Sequence, residues 1–382
     1  LISTIHRHSY FKVNTEHSQY FLYNYKEWDK IIIDEASMIN LPYITFSSLI
    51  TQQNNANCQV IIAGDPKQIP PVPELKDAEI EEIGVETENI YSMFGLRSFD
   101  KETQKSEIRV VDSVDNLDIQ FRSLPEIGNL FSEFSYGGKV SSHRQFESKR
   151  KLPVEVQRLL SQTVTFLNVP LERDNQLFSI NKLIYSSYHL YSGLLIFEFI
   201  QFFDKHYDGE EQWTIGIISP YKAQAVLVSR LIADLKLGKS IRVYSDTVHG
   251  FQGDECDIVF FICNPSSYQQ KPHEKSLLAN DFIYNVAISR AKDYLVIVNP
   301  FQKLTDNQFI NRLKSIQFNY TKENVIIQTS ELFENIIFGN GRFLDENTFI
   351  TRHDDVNVYI SDVYRYYIKK NEISIDFQIT NK

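Results

Sequence analysis

Two adjacent carboxylates, Asp34 and Glu35, follow the apolar run Ile31–Ile33. A short apolar run bounded by polar residues is typical of a strand buried on both faces in a parallel α/β sheet. Such sheets bind their ligands at the carboxyl ends of their strands. One carboxylate can hold Mg²⁺ while its neighbour orients or deprotonates a water, which is the chemistry of metal-assisted phosphoryl transfer. Taken alone, the stretch is explained just as well by a buried strand that happens to end in acidic residues.

A second polar segment, Gly64–Pro71, follows the apolar run Gln59–Ala63 and begins about thirty residues after Asp34. Its glycine permits a tight turn, and its prolines stiffen the loop. The uncharged amide of Gln68 can bind a γ-phosphate or a nucleophilic water. An isolated segment of this kind is better explained as a proline-rich turn. After an acidic strand end, it indicates a nucleotide site.

Short apolar strands alternate with helical segments over most of the chain, which predicts βαβ units and mostly parallel sheets. The predicted helices are Asn40–Thr51, Leu124–Ser135, Ser186–His206, Lys222–Leu235 and Asp281–Arg290. The predicted strands of the second half are Thr163–Val169, Thr214–Ser219, Ile241–Ser245, Asp257–Cys263 and Tyr294–Val298. The fold class is therefore α/β, with two such sheets and a boundary near residue 113.

Other stretches are less regular. A strand is expected at Leu1–Ile5, and a loop or helix over His6–Tyr25. The acidic segment 74–113 is interpreted as a surface excursion with a short helix around Ile90–Phe94. Residues 304–382 form a small α+β extension in which Val325–Phe333 carries a strand and a short helix.

Composition excludes several classes of protein. The formal net charge of −10 argues against nonspecific coating of nucleic acid, although a basic groove on an acidic body fits it. No apolar run has the length of a membrane span. Three cysteines without a CxxC pair indicate neither a zinc site nor a disulfide framework. We therefore expect a cytoplasmic protein that has no contact with membranes.

The stretches IIIDEAS and AGDPKQIPPV resemble motifs II and III of the superfamily 1 helicases. The most similar group is the DNA2/NAM7 type, which includes the nonsense-mediated-decay RNA helicase and its DNA-replication relatives. Four later stretches resemble the group's motif IV, its ISPY-type strand end, motif V and motif VI: LDIQFRSLPEIGNLFSEFSYGGKV, IGIISPYKAQ, SDTVHGFQGDECDIV and NVAISRAKDYLVIV. The resemblance covers about residues 1–300 in the family's order.

The resemblance implies two RecA-like domains and a nucleotide site that uses ATP and Mg²⁺. The first domain, truncated at its N-terminus, would be 1–113 with motifs Ib/Ic, II and III, the second 114–303, and the extension 304–382. Asp34 would hold Mg²⁺, Glu35 would be the general base, and Gln68 would sense the γ-phosphate. Arg122 and Arg290 would be arginine fingers supplied by the second domain. The remaining nucleotide-binding residues would be Gly64, Asp65, Gly253 and Glu255.

The resemblance also implies a single-stranded DNA or RNA partner. The residues expected at that partner are Thr4, Pro220, Tyr221, Thr247 and His249. Threonines at strand ends can contact phosphates, and the rings of Tyr221 or Phe251 can stack on bases. Ordinary structural roles explain these residue types as well, and the basic patch His143–Lys151 is consistent with a solvated surface.

Compared with the family pattern, the sequence lacks the phosphate-binding loop, motif I, together with the first strands of the first domain. Lys239–Ser240 after Gly238 ends like such a loop, but Ala233 replaces the leading glycine, and a helix precedes a strand rather than the reverse. The family carries GxxxxGK[ST] upstream of STIHR. We therefore expect a truncated member with further upstream domains on the same polypeptide. By itself this fragment should bind ATP poorly and be inactive in its hydrolysis.

The predicted function is an ATP-dependent helicase or single-strand translocase. Two alternatives stay open at this point. One is a non-catalytic nucleic-acid-binding or scaffolding module that keeps the fold, and the other is an NTPase switch of a bacterial defence complex.

Overall fold

The computed structural model describes most of the chain and divides it into two compact units, Leu1–Asn116 and Leu117–Lys382. The described residues are 10–15, 18–23, 27–71, 90–93, 114–175, 177–183, 186–233, 235–265, 267–268, 276–303, 305–323 and 325–339. The domain limits inferred from the sequence remain predictions. Thr4 and the strand predicted at Leu1–Ile5 lie outside the described residues.

The first unit begins with an antiparallel pair, β1 (Tyr10–Thr15) and β2 (Ser18–Tyr23), in which Tyr10 lies opposite Tyr23. The loop or helix expected over residues 6–25 is therefore wrong for these two segments. Both are rich in aromatic residues, and β1 also contains the β-branched residues Val13 and Thr15; such residues favour strands when a partner strand is available.

A parallel pair forms the rest of the first unit's described sheet structure: β3 (Lys30–Ile33) and β4 (Gln59–Ile62). A short 3₁₀ turn, Ala36–Met38, precedes helix α1 (Leu41–Asn54), and α2 is the single turn Ile90–Met93. One face of the pair packs on a small apolar core. Its buried members are Ile33, Ala36, Ile44 and Ile90.

The prediction that the Ile31–Ile33 strand is buried on both faces is wrong. Side chains alternate along a strand, so Ile31 and Ile33 face the core while Ile32 faces the other way. Ile32 is 68% exposed, and Ile61 on the neighbouring strand is 44% exposed. Within the described residues, this small sheet is therefore covered on one face only.

The second unit contains a six-stranded sheet in the order β11-β10-β12-β13-β7-β14, and every neighbouring pair is parallel. Its strands are β7 (Val164–Asn168), β10 (Trp213–Ser219), β11 (Ile241–Thr247), β12 (Cys256–Ile262), β13 (Ala291–Asn299) and β14 (Ile327–Thr329). The smaller strands are β5 (Ile119–Gln120), β6 (Ser141–Ser142), β8 (Ile180–Lys182) and β9 (Ser187–His189). This architecture confirms the α/β, RecA-like fold class.

Helices cover the sheet of the second unit. They are α3 (Pro125–Ser135), α4 (Val154–Gln157), α5 (Leu190–His206), α6 (Lys222–Ala233), α7 (Asp281–Ile288), α8 (Gln308–Thr321) and α9 (Ser330–Phe338). The helix predicted from Ser186 begins only at Leu190, because Ser187–His189 pairs with β8 and this tertiary pairing outweighs local propensity. Beyond residue 303, β14 pairs with β7, so part of the predicted extension belongs to this sheet.

The segment Val248–Glu255, which we call the crossover, connects β11 to β12. Because these parallel strands lie on either side of β10, the crossover must return from the carboxyl edge of the sheet to its amino edge. The ring of Phe251 packs over Gly216 in the middle of β10. A β-carbon on Gly216 would lie 2.9 Å from Phe251 Cζ and 3.0 Å from Cys256 Sγ. Glycine at this position thus makes room for the crossover.

The cysteines Cys58, Cys256 and Cys263 are buried and form no disulfide. In the part of the chain that the structure describes, no helix has both the length and the apolar character needed to cross a bilayer.

We expect Gly216→Ala to destabilise the protein by about 1–3 kcal/mol, because the added methyl group overpacks the contact with Phe251. Denaturant unfolding of the chain measures this change. The double variant Gly216→Ala/Phe251→Leu should recover part of the loss, since the smaller side chain frees space. Equal losses in the single and double variants would contradict the proposed packing.

Candidate functional site

Backbone hydrogen bonds join the ends of β3 and β4. Ala63 N donates to Ile33 O at 2.8 Å, and Ala36 N donates to Ala63 O at 3.0 Å. These bonds continue the pairing of the strands past their last residues. They bring the segment Asp34–Ala36 beside Ala63–Gly64, so the two polar segments that the sequence singled out meet in one place.

Glu35 breaks the alternation of the strand. Its backbone is left-handed, with φ 52° and ψ 38°, a conformation that costs a residue with a side chain roughly 1–2 kcal/mol. The amide of Glu35 donates to Asp34 Oδ1 at 2.9 Å. Asp34 is exposed, whereas Oε2 of Glu35 is buried. The turn therefore gives two neighbouring carboxylates different surroundings within one site.

Position 64 requires a glycine because the segments Asp34–Ala36 and Ala63–Gly64 approach each other closely. Its φ is +153°, and a β-carbon there would lie 2.8 Å from Tyr91 Oη and 2.9 Å from Ala36 N. The following residues form a tight turn, in which Lys67 N donates to Asp65 Oδ1 at 2.8 Å and Gln68 N donates to Asp65 O at 3.1 Å. This turn places half-buried Gln68 close to the strand ends.

Tyr91 is a residue of this site that sequence reasoning missed. Burial, followed in order by the charges of Asp65, Asp34 and Glu35, raises the pKa of its phenol to about 12. The phenol therefore faces all three carboxylates. Nothing in the sequence pointed to Tyr91, because it lies on the single helical turn α2, outside the two stretches that resemble motifs II and III.

Asp34 has the properties that are expected of a magnesium ligand. It is an exposed hard oxygen donor at the carboxyl end of a strand, and its Oδ1 is oriented by the Glu35 amide. Among the described residues, no group of three or more His, Cys, Asp or Glu side chains is arranged to enclose a metal. Mg²⁺ commonly takes one or two carboxylates and fills its other positions with water and phosphate oxygens.

In the second unit, Arg122 and Glu255 form the centre of a charged cluster. Arg122 Nε lies 2.6 Å from Glu255 Oε2, and its Nη1 donates to Ser289 O at 3.0 Å. Lys292 Nζ lies 3.1 Å from the other oxygen, Glu255 Oε1. Partial burial opposes ionisation of Glu255, but hydrogen bonds from Arg122 and Lys292 outweigh it and lower its pKa. The cluster therefore contains residues from the three stretches that resemble motifs IV, V and VI.

The backbone at Arg122 is fixed by Gln120. Gln120 Oε1 accepts from Arg122 N at 2.9 Å and from Ser123 N at 2.7 Å. Its Nε2 donates to Ser123 O at 2.8 Å and to Ser142 Oγ at 2.7 Å. Gln120 and Lys292 stood in the quoted motifs without an assigned role, and only their contacts identify them as supports of Arg122 and Glu255.

Arg290 is 3% exposed and follows α7 rather than ending it. Its Nε donates to Val286 O at 3.1 Å and its Nη1 to Asp254 O at 3.4 Å. Beside this contact, Gly253 takes the left-handed conformation, with φ +89°. Arg290 thus anchors the end of the crossover. Its contact with a phosphoryl group remains a prediction.

The opposite edge of the same sheet carries Thr247. Its amide donates to Asp246 Oδ1 at 2.6 Å, and its Oγ1 accepts from Gly250 N at 3.1 Å. Lys222 Nζ, from the start of α6, also lies 3.0 Å from Asp246 Oδ1. His249 is half-buried, and this burial lowers its pKa. Thr247, His249 and Lys222 therefore surround one turn at the carboxyl ends of β10 and β11.

Base stacking by Tyr221 or Phe251 does not fit the structure. Phe251 is 3% exposed, with its ring against Gly216. Tyr221 is also buried, and its Oη lies 3.1 Å from Ser276 Oγ. Both rings pack inside the domain because the crossover and the start of α6 need apolar contacts. Pro220 is buried beside them, and its own contact with nucleic acid stays a prediction.

The basic patch His143–Lys151 is largely structural rather than a solvated surface. Arg144 Nη2 lies 2.7 Å from Asp293 Oδ1. Arg150 Nη1 lies 2.9 Å from Asp257 Oδ2, and its guanidinium covers the Trp213 ring at 4.0 Å. Buried carboxylates on β12 and β13 require paired cations, which explains why these arginines turn inward.

We expect Arg150→Ala to lower the free energy of unfolding by about 3 kcal/mol, since it removes the nearer cation of the buried Asp257 carboxylate and leaves only Lys292 Nζ at 4.0 Å. Lys151→Ala, at the exposed neighbour, is the matched control and should change stability by less than about 0.5 kcal/mol. Urea unfolding of both variants makes the comparison. Similar effects of the two substitutions would show that the patch is a solvated surface after all.

Comparison with known families gives two matches. A profile described as "AAA domain" matches residues 97–300, more than half of the 382 residues. A second profile with the same description matches residues 1–74.

Curated relatives are helicases. The DNA replication ATP-dependent helicase/nuclease dna2 of Schizosaccharomyces pombe is 26% identical over 314 residues, covering 76% of this chain and 20% of that protein. Helicase sen1 of the same species is 28% identical, covering 72% of this chain and 15% of that protein. The probable helicase senataxin of Homo sapiens is 28% identical, covering 79% of this chain and 10% of that protein. The chain therefore spans only a small part of these relatives.

A solved structure, the PRRSV nsp10 helicase, covers 70% of this chain and 35% of its own at 14% identity. The TM-score is 0.17, which is too low to support an argument.

Proposed function

Because this chain belongs to the superfamily 1 helicases of the DNA2/NAM7 type, we propose that it is the motor part of an ATP-dependent helicase or single-strand translocase. The observation that carries the proposal is the junction of the β3 and β4 ends, which brings Asp34 and Glu35 to the Gly64–Gln68 turn. A carboxylate pair beside an amide-bearing turn has the groups that nucleoside triphosphate hydrolysis needs.

In this proposal Asp34 is the magnesium ligand and Glu35 the general base. Mg²⁺, when bound, neutralises charge on the phosphates. The left-handed turn separates the roles, because it leaves Asp34 exposed and buries Oε2 of Glu35. Gln68 binds the γ-phosphate, and Gly64 and Asp65 shape the turn that carries it.

Arg122 is the more accessible of the two proposed arginine fingers. Its side chain is one-third exposed and held by Glu255, so it can exchange that carboxylate for an anionic phosphoryl group. Lys292 remains to neutralise Glu255 after such an exchange. An arginine on the transferred group accelerates hydrolysis by about 10³–10⁵. Arg290 and Gly253 hold the crossover next to this cluster.

Single-stranded DNA or RNA is the proposed partner, bound by the turn after β11. Thr247 and His249 lie there, with Pro220 and Tyr221 at the end of β10, and Thr4 is the counterpart proposed for the first unit. Lys222 adds a positive charge that attracts the phosphates of the strand. Unpaired thiols fit the cytoplasmic location that we propose.

A non-catalytic nucleic-acid-binding module is the second candidate function. The observation that favours it is the turn after β11, where Thr247, His249 and Lys222 can contact phosphates whether or not ATP is hydrolysed. The two candidates differ in one measurement, which is nucleic-acid-stimulated ATP hydrolysis by the full-length natural protein.

We expect Glu35→Gln to reduce ATP turnover by the full-length protein by about 10²–10⁴-fold, because the amide cannot accept the proton of the attacking water. ATP affinity should stay within about threefold, since the substitution keeps size and hydrogen bonding. Steady-state hydrolysis and equilibrium ATP binding test the two parts. Retained turnover would contradict the role of Glu35 as the general base, whereas absence of ATP turnover by the unmodified full-length protein would favour the binding module.

Binding of this chain to single strands should weaken with salt. Each phosphate contact contributes about −0.7 to the slope of log K against log salt concentration. Lys222→Met should reduce the slope by about one contact, whereas Lys151→Met should leave it unchanged. Fluorescence anisotropy with matched DNA and RNA strands measures both slopes. A slope near zero would contradict the proposed phosphate contacts.

A further inference from the structure

The hydroxyl of Tyr91 is an unusual group in the first unit. Its Oη is buried and has no hydrogen-bond partner among the described residues. A buried hydroxyl without a partner lowers stability, because it has lost its bonds to water and gained none in return. Such groups are rare in folded proteins, and an explanation in terms of function is needed where one occurs at a candidate site.

The position of the hydroxyl is well defined by the glycine that it contacts. A β-carbon on Gly64 would lie 2.8 Å from Tyr91 Oη, 2.9 Å from Ala36 N and 3.4 Å from the carbonyl carbon of Glu35. The hydroxyl therefore lies over Gly64, next to the backbone of Glu35. Oε2 of Glu35 is itself buried in this region.

Glu35 provides a second, independent sign of function. Its left-handed backbone is rarely adopted by a residue with a side chain, and strain of this kind persists where the surrounding structure enforces it. The strain directs a carboxylate to a site that also contains an unpaired donor. The strained backbone of Glu35 and the buried hydroxyl of Tyr91 are both unfavourable in the ligand-free protein. Their occurrence at one place indicates that both serve the nucleotide-bound state.

From this geometry we infer that Tyr91 is a positioning residue for Glu35: its hydroxyl donates a hydrogen bond to the Glu35 carboxylate when nucleotide is bound. The bond fixes the orientation of the general base toward the attacking water. The inference rests on the proposed ATP hydrolysis and adds a residue from outside both motifs. It does not require Tyr91 to touch the nucleotide.

The protonation state of Tyr91 agrees with a donor. Its pKa of about 12 keeps the phenol neutral at physiological pH, so the hydroxyl proton is present. The ionisable groups that face it are Asp65, Asp34 and Glu35, all of which are acceptors when ionised. A neutral donor among three carboxylates also avoids adding a fourth negative charge.

The test is Tyr91→Phe, which removes only the hydroxyl. In the full-length protein, kcat for ATP should fall by about tenfold or more while KM stays within about threefold, since one hydrogen bond to a charged group is lost in the transition state. The Tm of the ligand-free protein should stay equal or rise, because an unsatisfied buried group is removed. Tyr320→Phe, the same change on α8 of the second unit, should leave both quantities unaltered.

Two results would overturn the inference. One is a kcat of Tyr91→Phe within about twofold of the unmodified protein. The other is a Tm lowered by several degrees, which would show that the hydroxyl already has a partner in the ligand-free state. Glu35→Gln, assayed in parallel, separates the two proposals. If the unmodified protein hydrolyses no ATP, the proposed function fails. If it hydrolyses ATP and Glu35→Gln retains turnover, the roles of Glu35 and Tyr91 both fail; if Glu35→Gln loses turnover and Tyr91→Phe does not, only the role of Tyr91 fails.

Discussion

Parallel pairing of strands is the constraint on which the rest of the structure depends. Parallel strands place all carboxyl ends at one edge and all amino ends at the other, and they require long connections. In the first unit, this pairing brings Asp34 and Gly64 together at the carboxyl ends of β3 and β4. In the second unit, it separates two candidate functional clusters, one at the carboxyl ends and one at the amino ends of the strands of one sheet.

The crossover is the segment that connects these two clusters along the chain. One end carries Thr247 beside Lys222 and Asp246, and the other carries Asp254 and Glu255, which contact Arg290 and Arg122. A short segment packed on β10 through Phe251 therefore touches both clusters. If nucleotide binding moves Arg122 or Arg290, the crossover is the covalent path by which the movement reaches the proposed nucleic-acid edge. Energetic coupling of this kind follows packed elements that have two arrangements.

Buried ion pairs stabilise the fold of the second unit and also support its candidate site. Asp257 and Asp293 lie in the central strands β12 and β13, where an unpaired carboxylate would be costly. Arg150 and Arg144 neutralise them and tie the loop after β6 to the sheet that carries Glu255 and Arg290. The residues proposed to act on nucleotide thus rest on a layer of ion pairs rather than on apolar contacts alone.

The sequence by itself determined the α/β class, most strand positions and the identity of the motifs, because hydrophobic periodicity and local residue order carry that information. Local residue order made Asp34 and Glu35 candidate site residues, and the resemblance to the family added Arg122 and Glu255. Burial could not be predicted so well: Ile32 is exposed, whereas Phe251 and Arg290 are buried, because these outcomes depend on which elements cover each face. Only the tertiary structure assigned Arg150 to Asp257 and placed Tyr91 at the carboxylates. Contacts between residues distant in the chain leave no local pattern, so only the fold determines them.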